Sequence, residues 1–277
     1  MPDSQSNSTD YSFKAFASQE FHKNINRHLI EVCNITPGQK VLELACGTGA
    51  ASRLILERLR GARESLLIGV DVSSQALREA MDQLASFRDV TIQLVQTRAE
   101  QLSAVVKQHM DSVLFTNGIH YVADKDVLLD QVGGSLKSGG VFAFNTSFFN
   151  GAHPVETHQF YRRWMLRAVR TLKTRYNIMP VAADKVESRR QLTPEEYESL
   201  LTRHRFVIVR KEITLVPITL QGWKDISSYE DFIQGALPGV PLAKASAALK
   251  DSVQQVMEEL SIQAVPRNWL TVVAAKA

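Results

Sequence analysis

Apolar and polar positions in this chain follow two periods, and the changes of period mark its elements. Short branched and apolar runs at Val41 to Leu44, Leu66 to Val70, Val90 to Val95, Asp111 to Asn117 and Val141 to Asn145 have the composition of buried strands. Helical spacing appears between them. Phe21, Ile25, Leu29 and Ile30 predict a helix over Ser18 to Val32, and further helices follow over Ala50 to Leu59, after Ser73 or Ser74 through Leu84, and over Val127 to Leu136. Ser138-Gly139-Gly140 reads as the turn into the fifth strand. Five strand and helix repeats predict a parallel sheet with helices on both faces.

The alternation stops at Phe148. From about Glu156 to Tyr176 the residues Tyr161, Trp164, Met165, Ala168, Val169, Leu172 and Tyr176 form one apolar helical stripe, while Arg163, Arg167 and Arg170 lie on another face. Residues 148–191 therefore read as an inserted cap. Its stripe would close an apolar pocket and its arginines would meet a carboxylate, a phosphate, an acidic carrier protein, a membrane surface or only water. Thr193-Pro194-Glu195-Glu196 starts a helix that ends near His204. Phe206 to Leu220 and Asn268 to Ala275 read as two late strands able to pair as an interrupted hairpin. Residues 221–263 between them form a second helical cap, with Trp223, Tyr229 and Phe232.

Composition narrows the function classes. A chain of 277 residues that is 44% hydrophobic can bury one substantial core, so residues 11–277 are expected to form one domain with two inserted caps. A net charge of +3 announces no nucleic-acid binder. No apolar stretch approaches the roughly 20 residues that span a bilayer. Met1 to Asp10 is polar, reads as a disordered tail and not as a signal peptide, and points to the cytoplasm. Cys33 and Cys46 lack metal or redox spacing and read as reduced structural thiols. No metal-ligand cluster stands out.

The chemistry gathers at Glu43-Leu44-Ala45-Cys46-Gly47-Thr48-Gly49. A strand, a glycine turn and a helix start make a small-molecule site, because Gly47 and Gly49 allow sharp turning and close approach. A dinucleotide fingerprint wants a third glycine where Ser52 stands, and Glu43 would set a carboxylate against pyrophosphate. A cationic or zwitterionic ligand suits it better. Asp71, at the end of the second strand, sits where an acid accepts ribose hydroxyls. Asn117 and His120-Tyr121, after the fourth strand, face the same crevice, and His120 is a candidate base with Tyr121 beside it.

Glu43 to Gly49 resembles the acidic-x-Gly-x-Gly-x-Gly motif of class I, Rossmann-like S-adenosylmethionine-dependent methyltransferases, with Ala45 in place of the first glycine. The resemblance covers about Tyr11 to Asn145 by motif. It implies a mostly parallel seven-stranded sheet that ends in an antiparallel strand pair, and S-adenosyl-L-methionine as cofactor. Tyr11, Glu43, Ala45, Gly47, Gly49, Asp71, Val72, Ala99 and Asn117 are then the cofactor-binding candidates, Tyr11 as a lid residue. Thr97-Arg98-Ala99-Glu100-Gln101-Leu102 is similar to the family's Gly-Asp-Ala-Glu-x-Leu segment, but Arg98 offers adenine no acceptor and only the Ala99 backbone carries over.

The expected activity is methyl transfer to an O, C or N atom of a small, largely apolar, anionic or carrier-bound metabolite, presented free or by an acyl carrier protein. Trp164, Arg163 and Arg167 are the substrate-binding candidates. Rival readings are a non-catalytic adenosylmethionine-binding protein serving a partner or membrane, and a nicotinamide-dependent reductase.

Overall fold

The computed structural model describes residues 11–181 and 190–277. The tail expected at Met1 to Asp10 and the far end of the first cap lie outside the described residues. The elements in chain order are α1 (Lys14–Ala17), α2 (Glu20–Val32), β1 (Lys40–Leu44), α3 (Ala50–Leu59), β2 (Leu66–Asp71), α4 (Ser74–Leu84), β3 (Thr91–Gln96), α5 (Leu102–Val105) and β4 (Met110–Thr116). They continue with α6 (Lys125–Ser135), β5 (Leu136–Thr146), α7 (His158–Tyr176), α8 (Pro194–Arg203), β6 (Phe206–Thr219), α9 (Leu220–Ile226), α10 (Glu230–Ala236), α11 (Leu242–Glu259) and β7 (Ala264–Lys276).

The residues fall into two compact units. The first holds the described residues of Glu20–Ala152, Lys185–Val216 and Arg267–Ala277, and is built on a seven-stranded sheet in the order β3-β2-β1-β4-β5-β7-β6. β1 to β5 run parallel, with Leu42 level with Ile68 on one side and Val113 on the other. β7 lies antiparallel to β5, with Phe144 level with Val272.

The alternation of side chains along each strand separates two cores. Leu42, Leu44, Val113, Phe115, Phe142 and Phe144 pack on the side of α6 and α8. Val41, Leu67, Leu114, Ala143 and Val273 point the other way, onto Leu29 and Ile30 of α2 and Ile55, Leu56 and Leu59 of α3. Glu43 shares the side of Val41, so its carboxylate is directed at α3. This parity decides its partner.

Some expected boundaries move. The Ser138-Gly139-Gly140 turn is absorbed into β5, where Gly139 at φ +72° accommodates a register jump from Met110 level with Leu136 to Ser112 level with Val141. β7 starts at Ala264, ahead of the expected Asn268, because Val265 is buried although Pro266 and Arg267 break the apolar pattern. A single turn of 3₁₀ helix at Val155–Thr157 precedes α7.

The second unit holds the described residues of Met1–Gln19, His153–Asp184 and Pro217–Pro266. α7 and α11 pack together, and Phe160, Trp164, Trp223 and Phe232 form its aromatic centre with ring centroids 5.5–5.9 Å apart. Trp164 is 1% exposed and donates Nε1–H to the Leu249 carbonyl at 2.9 Å. The expectation that Trp164 lines a substrate pocket is corrected by that packing. Arg163 and Arg167 also have protein partners: both reach Glu259 on α11, and Arg167 also bonds Gln255. The acid that meets these arginines comes from a helix more than ninety residues further along the chain.

Candidate functional site

The loop after β1 is pinned from three directions. The Cys46 N–H donates to the Val70 carbonyl, Gly49 N–H to the Cys46 carbonyl, and Gly47 N–H to Asp71 Oδ2 at 2.9 Å. Gly47 has φ +54° and Gly49 φ +89°, a region that L side chains avoid. A Cβ added to Gly47 would meet nothing within 4 Å, whereas one on Gly49 would touch Ala80 and Leu84 at 3.4 Å. Gly47 thus faces open space and Gly49 packs against α4. Ala45 also takes a left-handed backbone, at φ +51°. The alanine in the glycine position is held in a glycine conformation.

Glu43 is fully buried, and its Oε2 accepts the hydroxyl of Ser52 on the first turn of α3. Oε1 has no hydrogen-bond partner among the described residues. Burial pushes the carboxyl up to about 8, the Ser52 bond opposes that shift, and the Asp71 charge adds to it. Ser52, which marks the departure from a dinucleotide fingerprint, is therefore the residue that holds the acid. Its spacing of nine residues from Glu43 was the available signal, but only strand parity shows that the two meet. Burial, with the same two acids beside it, raises the Cys46 thiol above its ordinary range, which suits a structural thiol.

Asp71 closes β2. Its Oδ1 accepts the Ser73 N–H at 2.8 Å and Ser73 caps α4, so both carboxylate oxygens already hold backbone. Each oxygen keeps a further lone pair for a ligand hydroxyl. Val72 beside it is 64% exposed, an apolar surface at the carboxyl edge of the sheet. Arg98 is exposed, and Ala99 opens a short 3₁₀ turn after β3.

Asn117 and His120 follow β4. Asn117 takes φ +47°, its N–H donates to the main-chain and side-chain oxygens of Asn145, and its Oδ1 accepts from Ser147. The Asn145 amide in turn donates to Asn26 Oδ1 on α2 at 3.0 Å. This buried network, which the sequence reading missed, fixes the ends of β4 and β5. His120 is buried and stacked on Phe148, with ring centroids 4.3 Å apart and Tyr121 at 4.1 Å. Burial, with the Arg267 and Lys125 charges, pushes its imidazole down to about 3. So weak a base is poorly matched to the proton abstraction expected of His120 near neutrality.

The Thr146 hydroxyl orients that ring. Thr146 Oγ1 accepts the Phe148 N–H at 3.0 Å and lies 3.2 Å from His120 Nδ1. A buried hydroxyl needs an acceptor for its own proton, and Nδ1 is the one the geometry supplies. The proton of the neutral ring then sits on Nε2, which is buried with no partner among the described residues.

Glu43, Gly47, Asp71, Val72, Ala99, Asn117, His120 and Tyr121 all lie on the sheet unit at or just beyond the carboxyl ends of parallel strands. Tyr11, Arg163, Trp164 and Arg167 belong to the other unit, where the Tyr11 carbonyl accepts the Glu230 N–H at 3.0 Å. Among the described residues there is no cluster of His, Cys, Asp and Glu able to hold a metal. No described helix is long and apolar enough to cross a membrane.

This sheet order, antiparallel final strands and acid-glycine-acid cluster define the class I, Rossmann-like methyltransferase fold. Residues 42–142 match the family model described as "Methyltransferase domain". An uncharacterized protein of Haemophilus influenzae is 32% identical over 130 residues, 46% of this chain and 48% of that protein. A ubiquinone/menaquinone biosynthesis C-methyltransferase of Legionella pneumophila is 31% identical over 140 residues, 48% of this chain and 54% of the relative. The chain thus spans about half the length of these curated relatives. The solved structure of the cyclopropane synthase MmaA2 from Mycobacterium tuberculosis shares the fold with a TM-score of 0.57 at 12% identity, covering 94% of this chain and 88% of that one.

Proposed function

We propose that this protein transfers the methyl group of S-adenosyl-L-methionine to a small organic acceptor. The observation that carries the reading is the pair of acids around the glycine turn: Glu43 buried with Oε1 unpartnered, and Asp71 holding Gly47. The residues present fit this cofactor. A carboxyl with an orphaned oxygen suits a cationic amino-acid ammonium, Asp71 offers lone pairs to ribose hydroxyls, and Gly47 leaves room for close approach. Ser52 stands where a dinucleotide fingerprint wants its third glycine and the Glu43 carboxyl suits a pyrophosphate poorly, which disfavours the reductase. The cofactor, when bound, supplies an electrophilic methyl group on sulfur.

The chain's own residues then position and desolvate the acceptor. His120 serves as a donor through Nε2–H, toward an oxygen of the acceptor molecule such as a carbonyl or an enolate that lends its neighbouring carbon nucleophilicity. Tyr121, 45% exposed beside it, lines the approach. No protein base is assigned. Carbon as the acceptor atom is supported by the C-methyltransferase among the relatives. An anionic or carrier-bound substrate no longer draws support from Arg163 and Arg167, whose charges meet Glu259.

Calorimetric titration with S-adenosylmethionine, S-adenosylhomocysteine and NADH, repeated on Asp71→Ala, tests this reading. Binding of both adenosyl ligands, weakened at least about tenfold in the variant, is the expected result; tenfold corresponds to about 1.4 kcal/mol. Binding of NADH alone, or of none of the three, overturns it.

A further inference from the structure

β7 runs antiparallel to β5, and the ladder between them ends with Leu270 level with Thr146. The strand reaches back to Ala264, so Arg267 lies alongside the residues that follow Thr146. Arg267 is buried there, and its Nε and Nη2 both donate to the Ser147 carbonyl, at 2.9 and 2.6 Å. The Ser147 N–H is itself held by Asn117 Oδ1 at 3.2 Å. A guanidinium fork with two donors on one anchored carbonyl is fixed in place, as a single ammonium is not.

The guanidinium so fixed sits 4.9 Å from the centre of the Phe148 ring. Phe148 is also the ring on which His120 stacks, with centroids 4.3 Å apart and planes at 27°. One aromatic ring therefore meets both a permanent cation and an imidazole. An aromatic face attracts cations, and by itself Phe148 would favour the protonated imidazole. Arg267 takes that role, and a second positive charge beside it is repelled in a buried place where water screens little. The other charged or titratable groups facing His120 are Lys125 of α6, whose ammonium donates to the Val122 carbonyl at 2.7 Å, and Tyr121, whose ring centre is 4.1 Å away. Three consecutive residues thus carry the histidine: Thr146 meets Nδ1, Ser147 anchors the arginine, and Phe148 touches both. We propose that Arg267 is a positioning residue for the reaction: clamped on Ser147 and packed on Phe148, it keeps the His120 ring seated and uncharged, so that Nε2–H remains a donor to the acceptor. The proposal rests on the donor role given to His120 above.

Three variants, followed by NMR titration of ring-labelled histidine and by methyl-transfer kinetics, test it. Arg267→Gln keeps an amide donor for the Ser147 carbonyl and removes the charge, whereas Arg267→Lys keeps the charge and loses the fork. The expected result is a His120 ring that stays neutral well below the ordinary 6.5 in the natural protein and in Arg267→Lys, and gains about tenfold or more in proton affinity in Arg267→Gln. With that gain kcat falls several-fold in Arg267→Gln, KM for S-adenosylmethionine holds, and an acid limb enters the pH profile; Arg267→Lys recovers most of the rate. Phe148→Leu, at a half-buried position, removes the shared ring and lowers kcat at unchanged cofactor affinity even where Arg267→Gln does not fold. A His120 titration that is the same in the natural protein and both Arg267 variants overturns the proposal, as does an equal loss of rate in the two Arg267 variants or full kcat in Phe148→Leu. Failure of the methyl-transfer reading shows elsewhere, as S-adenosylmethionine that does not bind in the calorimetric titration, while the histidine titration needs no cofactor.

Discussion

Asp71 and Gly47 are joined by a 2.9 Å hydrogen bond from backbone N–H to carboxylate, across a separation of 24 residues. The bond ties the glycine turn after β1 to the end of β2. With the Ser73 N–H on its other oxygen, Asp71 shapes the loop before any ligand arrives. The acid expected only to receive a ribose is also part of the turn's own architecture. Variants at four places test the surrounding physics.

Ala45 carries a side chain at φ +51°, where a Cβ crowds the following carbonyl. Ala45→Gly relieves this and stabilises the protein by about 1 kcal/mol. Ala45→Val, which adds branching in the same backbone, destabilises it. Urea unfolding midpoints of the two variants should move in opposite directions.

Glu43 rises from an ordinary 4.5 to about 8 in the folded state. The fold therefore holds a proton that the unfolded chain releases, and stability present below pH 4.5 is lost as pH rises through 8. Glu43→Gln keeps an acceptor for Ser52 and removes the titration. Its stability advantage over the natural protein should be smallest near pH 4.5 and grow as pH rises toward 8. The same variant should bind S-adenosylmethionine more weakly, because it cannot become an anion opposite an ammonium group. A stability difference flat with pH would show that the carboxyl is already ionised.

His120 moves the opposite way, from 6.5 to about 3. A base kept neutral by folding contributes stability that is full above 6.5 and lost as pH falls through 3. His120→Asn should lose less stability than the natural protein over that acid range. Its methyl-transfer kcat should fall while cofactor affinity holds, with no shift of the pH profile near neutrality. A profile whose neutral limb disappears in the variant would restore the general-base role.

Arg163 and Arg167 sit 40% and 38% exposed against Glu259. Exposed pairs of this kind contribute at most about 1 kcal/mol. Replacing both by alanine should lower thermal stability slightly and leave KM for the acceptor unchanged. A several-fold rise in KM would return them to the substrate.

The parallel strands, the glycine turn, the acid at the end of β2 and the start of α8 at Thr193 were legible in the amino-acid sequence. Each depends on short-range causes: apolar runs, positive φ at glycine, and a capping residue beside its own helix. The helical stripe of α7 was equally plain, but stripe periodicity does not say which element covers it. Trp164 and its arginines met α11, and a pocket reading gave way to a packing one.

What only the tertiary structure decided were relations between distant segments. Strand parity turned Glu43 toward Ser52, the β4 and β5 register brought Asn117 to Asn145, and the bend after β5 placed Thr146 and Phe148 around His120. Protonation followed from those contacts. Burial raised the Glu43 carboxyl and lowered the His120 imidazole, because a charge is costly away from water and only the folded chain removes the water. Sequence by itself named the residues of the candidate site; the fold determined which of them hold protons, and toward what.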